Sequence, residues 1–290
     1  MLKKSFQFLG LTILIGFSFF YTNEVINMVR DKDPLMIKIQ EFETIFNKDS
    51  VDAFIEDDFI LPGINACVVD TNSSYSNMKK IGSYNNSLIE YREIKPDISL
   101  DNIYDKYIVK GNKSKLEVAL VFKLNDSRYT IDLINILSKK STKASFFVDG
   151  KLIENDSQSI YNLINQGHEI YNLGYDGEYD KNLLVWTNNM IENMSYNKPK
   201  YCLLLEENKK VLDICSSNKM YTIKAELLIN YRSTFNNIMS NIDKGSLIIF
   251  DVNEKTTTEL TKTLLFLNSK GFTYNVLSEH LSEKGCSNTD

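Results

Sequence analysis

Val118-Ala-Leu-Val-Phe-Lys-Leu-Asn-Asp126 is the stretch on which the reading of the chain turns. Val118 to Phe122 is an unbroken run of β-branched and large apolar residues. Such a run predicts a buried strand of the kind found in parallel sheets. Lys123, Leu124 and Asn125 stand where that strand hands over to a loop. In α/β folds, ligands and catalytic groups gather at that end of the strands.

Downstream the rhythm is regular. Strands predicted over 118–122, 144–148, 168–173, 201–205, 220–223, 246–250 and 273–276 alternate with helices near 129–140, 156–166, 183–194, 234–242 and 257–269, and with a short helix through Leu212. Strands alternating with helices imply βα units and a parallel sheet or barrel. The fold class expected is therefore α/β, a parallel sheet or barrel of six or seven strands, too compact for a full eight-fold barrel.

Upstream, Lys3 and Lys4 precede an uncharged apolar run over residues 5–22. About 18 residues is close to the minimum that spans a bilayer as a helix. The run ends in Phe19-Phe20-Tyr21-Thr22-Asn23-Glu24 without the small-residue cleavage site of a signal peptide, so an uncleaved signal anchor is expected. The leading lysines place the N-terminus inside and the bulk of the chain outside, as a single-pass protein of the cell membrane. Four segments follow: a cytoplasmic tip and anchor over 1–30, a stalk helix and small α/β appendage over 31–115, the barrel over 116–284, and a tail over 285–290. Pro34 separates two helices within the stalk. Short strands are expected at 64–69, 88–91 and 106–111, and a helix over 73–82. The appendage either packs beside the barrel or supplies edge strands to it.

Of 290 residues, 43% are hydrophobic, ample for a core, and the net charge of −5 leaves no basic footprint for nucleic acid. Cys67, Cys202, Cys215 and Cys286 show no metal-ligand spacing and are read as small core or surface thiols, with a Cys202–Cys215 disulfide open in an oxidising exterior. His168 and His280, the only histidines, are too few for a histidine-rich metal site. His280 lies in a segment read as a surface helix, and no phosphate-binding glycine loop or G-x-S-x-G elbow occurs.

Three landmarks resemble NodB-type polysaccharide deacetylases, carbohydrate esterase family four: Val118–Phe122 followed by Tyr129-Thr130, then Lys143-Ala-Ser-Phe-Phe-Val148 leading to Gly167-His-Glu-Ile170, and Gly245-Ser-Leu-Ile-Ile249 leading to Gly271–Ser278. The resemblance covers roughly residues 116–282. It implies the family's deformed barrel and, in active members, a divalent metal with an aspartate base. Lys123 and Leu124 stand at the two aspartate positions of the first motif. Leu173 and Gly177 stand at the two histidine ligands of the second, while His168 matches a residue that is not a ligand. Lys200–Glu206 replaces the Arg-Pro-Pro-Tyr-Gly motif, and Asp251 falls at the late catalytic histidine. An ammonium repels a divalent cation and a leucine offers it no lone pair. The resemblance thus implies a lost metal site and no cofactor.

The expected function is a membrane-anchored extracellular domain without catalysis that binds cell-wall polysaccharide or a membrane or wall protein. Tyr171, Tyr175, Tyr179 and Trp186, with Asp176 and Glu178, are candidates for lining a former sugar groove. An alternative is an active de-N-acetylase of cell-surface polysaccharide, with a relocated site drawn from Asp126, Asp176, Glu178, Asp180 and Asp251. Carboxylates alone would favour a hard cation. Otherwise these are solvated loop acids, and Asp126 begins the following helix as a cap or first-turn acid. A further alternative is a structural or signalling membrane protein that uses residues 49–115.

Overall fold

The computed structural model describes residues 2–286. Met1 of the expected tip and residues 287–290 of the expected tail lie outside the described residues. Two compact units emerge: one of residues up to 50, 65–95 and from 284 onward, the other of 51–64 and 96–283.

The second unit is built on a mostly parallel sheet. Its strand order is Phe54–Glu56, Phe59–Leu61, Tyr107–Ile108, Tyr221–Lys224, Tyr201–Leu204, Glu169–Asn172, Ser145–Val148, Glu117–Leu124, Leu247–Asp251 and Leu227–Ile229. Thr273–Asn275 pairs with the start of Glu117–Leu124. All seven strands expected after residue 116 are present, joined in parallel by intervening helices. Leu227–Ile229 was not expected; at three residues it is too short to announce itself by pattern.

Glu117–Leu124 is central because it has core on both sides. Val118, Leu120, Phe122 and Leu124 pack on one face with residues of the helices Thr130–Lys139 and Thr256–Ser269. Ala119 and Val121 pack on the other with Phe147, Tyr171, Leu203 and Ile249. Successive side chains of a strand point to opposite faces, so Lys123 shares the side of Ala119 and Val121. Phe122 stacks on Phe146 and Phe250, with ring centroids 4.8 and 4.9 Å apart.

The appendage expected over 31–115 does not hold together as one piece. Residues 51–64 and 96–115 belong to the barrel unit, where Phe59–Leu61 and Tyr107–Ile108 extend the sheet. What remains packs Pro34–Phe46 and Thr71–Ile81 around Ile39, Val69, Met78 and Ile89 beside the antiparallel pair Ala66–Val69 and Tyr91–Ile94. The strand expected at 88–91 starts at Tyr91, after a 3-10 turn over Asn86–Leu88. All four cysteines are paired, rather than being thiols. Cys202–Cys215 ties a strand to the next helix, and Cys67–Cys286 joins residues 219 apart in sequence. One helix among the described residues is long and apolar enough to cross a membrane, over Thr12–Asp31.

His280 is not on a surface helix. It is 2% exposed, and its Nε2 lies 2.9 Å from the Gly245 carbonyl. Its ring occupies the space a side chain at Gly111 would need. His168 is also buried, its Nδ1 accepting from the Ala144 N–H at 3.2 Å.

Burial, with help from the Lys143 ammonium, pushes the His168 imidazole down from 6.5 to about 4. The unfolded chain therefore takes up the proton first on acidification. The stability this group contributes is full above about pH 6.5 and is lost as pH falls towards 4, by on the order of 3 kcal/mol at most. Hydrogen exchange across Ser145–Val148 should show protection dropping over that window and dropping less in His168→Gln. An unchanged pH dependence in the variant would refute the assignment.

Candidate site at the strand ends

The register pairs Asp251 directly with Lys123 at the carboxyl ends of adjacent parallel strands. Their side chains meet, with Nζ 2.9 Å from Oδ1. Side-chain exposure is 20% for Lys123 and 33% for Asp251, so the pair is partly shielded from water. The two family positions for aspartate base and catalytic histidine thus hold an ammonium and a carboxylate that neutralise each other.

The other metal positions are filled in different ways. Leu124 is fully buried in the helix-side core and Leu173 lies in the opposite core. Gly177 has φ +80°, a left-handed conformation that a histidine would adopt only with strain. The residues at the family's metal and base positions therefore do not fit a divalent cation. Among the described residues, no group of three or more His, Cys, Asp or Glu is placed to hold one.

A carboxylate missed in the sequence organises the loop where the histidine ligands would sit. Asp149 follows strand Ser145–Val148 and is almost fully buried. It accepts the N–H groups of Lys151 at 2.8 Å, Asp176 at 3.0 Å and Gly177 at 2.9 Å. Asp149 thereby fixes a turn in which both Asp176 and Gly177 have positive φ. Its position just before Gly150 at a strand end was the only signal available.

Four of the five acids proposed for a relocated site are individually occupied. Asp126 accepts from the Arg128 backbone and guanidinium, whose hydrogen bonds hold its carboxyl below the usual range. It does not cap the next helix, which begins at Thr130 behind Tyr129. Asp176 pairs with Lys151 at 2.9 Å. Asp180 caps Lys181–Ser195 by accepting from the N–H groups of Asn182 and Leu183. Glu178 is exposed in the Tyr175–Glu178 turn. Asp251 serves Lys123.

The tyrosines separate too. Tyr171 is 7% exposed and packs between Phe147 and Tyr201, so its ring faces are not open to a sugar, and burial pushes its phenol up. The Tyr179 hydroxyl lies 2.9 Å from the Leu203 carbonyl oxygen and accepts the Leu203 N–H at 3.1 Å. Tyr175 donates to Glu154 and meets Trp186 edge-on. Two tyrosines that the sequence did not mark as groove residues are better placed. Tyr129 lies under the Arg128 guanidinium, and Tyr231, 59% exposed, lies under the Lys255 ammonium. The Glu254 carboxylate beside Tyr231 raises its phenol. They sit on the loops that follow Glu117–Leu124 and Leu227–Ile229.

A cleft of about 560 Å³ opens at these strand ends, lined by Asn125, Arg128, Asp149, Lys151, Asn155 and Asp176 among others. Its lining carries amide, guanidinium, ammonium and carboxylate groups beside apolar surface such as Leu152.

The polysaccharide deacetylase family model matches residues 110–216. Over 281 residues the chain is 25% identical to the uncharacterised protein YlxY of Bacillus subtilis (strain 168), covering 90% of this chain and 87% of that one. Its fold is similar to that of a wild-type carbohydrate esterase family-four pseudoenzyme from Bacillus anthracis, with TM-score 0.68, 24% identity, and 87% and 96% of the two chains covered. A mutant of that pseudoenzyme with restored enzymatic activity aligns at TM-score 0.67, with 24% identity and 87% and 99% coverage. The family-four esterase PdaA of Bacillus subtilis aligns at TM-score 0.53, with 16% identity and 61% and 85% coverage.

A double-mutant cycle over Lys123→Met and Asp251→Asn should give a coupling of about 1–2 kcal/mol in favour of the pair, as befits a partly buried ion pair. Purely additive losses would contradict the contact.

Proposed function

We propose that the chain is a catalytically silent member of the polysaccharide deacetylase fold, whose family model matches residues 110–216, anchored outside the cell membrane and binding cell-wall glycan. The observation that carries this reading is the Lys123–Asp251 ion pair. The fixed ammonium stands where deacetylase chemistry needs a base and a divalent metal, and the leucines beside it have joined the cores.

The mouth of the sheet keeps what glycan binding asks for. The cleft offers amide, carboxylate and guanidinium groups suited to hydroxyls, and Tyr129 and Tyr231 offer ring surface beside it. Aromatic rings combine an apolar body with a polar tip, which suits stacking against a sugar. The Bacillus anthracis neighbour supports the silent reading, since it is a family-four pseudoenzyme of this fold and a mutant of it has restored enzymatic activity. Outward placement accords with two disulfides, which persist in oxidising compartments, and with the apolar helix at the N-terminus.

The full chain incubated with zinc and an acetylated chito-oligosaccharide should release no acetate above background. It should be retained on purified peptidoglycan, with retention several-fold weaker in Tyr231→Ala. Stoichiometric acetate release would overturn the silent reading, and passage of the wild-type chain without retention would overturn glycan binding.

A further inference from the structure

The apolar helix Leu2–Asp31 ends in Val25, Ile26, Met28 and Val29, followed by Arg30, Asp31, Lys32 and Asp33. Only Lys32 and Asp33 separate it from the next helix, Pro34–Phe46. Asp33 caps that helix by accepting the Leu35 N–H at 2.9 Å. The same carboxylate accepts the Tyr75 hydroxyl at 2.8 Å and the Lys79 ammonium at 2.6 Å. One side chain therefore fastens the last turns of helix Thr71–Ile81 to the point where the apolar helix ends.

That fastening brings a particular surface to the junction. Lys79, Lys80 and Ile81 form the final turn of Thr71–Ile81, and Ile81 is 55% exposed. Arg30, Lys32, Lys79 and Lys80 outnumber Asp31 and Asp33 by two positive charges, four against two. In the candidate span Thr12–Asp31, Val29 lies two residues before the helix end, about 3 Å along its axis, which is within the thickness of one headgroup layer. An exposed isoleucine flanked by lysines, whose stems lie along apolar surface while their heads reach water, is chemistry suited to that layer.

We propose that Lys32, Lys80 and Ile81 rest on the anionic phospholipid headgroups of the membrane that the apolar helix enters. This contact rests on the reading of that helix as a membrane anchor. It makes the small unit a collar seated on the bilayer, with Asp33 as the positioning residue. The lipid surface is favoured over a protein partner because the chain itself delivers this surface to the bilayer, with a charge of matching sign.

The test uses the full chain with Ile81→Cys carrying an environment-sensitive fluorophore, reconstituted into phosphatidylcholine vesicles with and without phosphatidylglycerol. Flotation after an alkaline wash checks anchoring separately. The expected result is flotation with both vesicles, at least twofold higher emission with phosphatidylglycerol, and return to the neutral-vesicle value in Lys32→Glu/Lys80→Glu. Flotation with equal emission in both vesicles would overturn the collar and leave the anchor standing. Absence of flotation would overturn the anchor and the collar together.

Discussion

At the carboxyl ends of two neighbouring parallel strands, the Lys123 ammonium and the Asp251 carboxylate meet at 2.9 Å. This contact constrains what the sheet can do. Strand ends in such folds are where side chains converge without a core to fill, and here the convergence is used up by an internal pair. Neither charge is deeply buried, so the pair need not offset a large desolvation penalty, and each partner keeps the other from attracting a mobile ion. A divalent cation would have to displace an ammonium already held in place, and would find leucine and glycine where lone pairs are needed.

The surrounding loops are held by means that require no metal. Asp149 gathers three backbone N–H groups and fixes the Tyr175–Glu178 turn. The turn keeps its place through these bonds, while Asp176 reaches across to Lys151. On the far side, Arg128, Tyr129, Tyr231 and Lys255 present rings and cations at the mouth. The architecture of a catalytic barrel is thus retained with a different set of interactions maintaining its open end.

Much of this was legible from local pattern. The unbroken run Val118–Phe122 and the alternation of strands and helices announced the sheet, and Lys123 and Leu124 announced the altered chemistry. What was not legible depended on distant partners. Cys67 pairs with Cys286 across 219 residues, which spacing does not suggest. His280 sits in what reads as a surface helix, and is buried because Gly111 leaves room for its ring. Residues 51–64 look like part of a separate appendage until Phe59–Leu61 is seen paired to Tyr107–Ile108 in the large sheet. Tyr171 looked like a groove residue, yet alternation along Glu169–Asn172 turns it into the core beside Phe147.

The central claim is that an internal ion pair stands where this fold would otherwise hold a metal. An optical titration of the full chain with cobalt(II) tests it most directly, because coordinated cobalt announces itself by its visible absorption. The account predicts no saturable band at stoichiometric cobalt. A band that saturates at one equivalent and disappears in Asp251→Ala would contradict it.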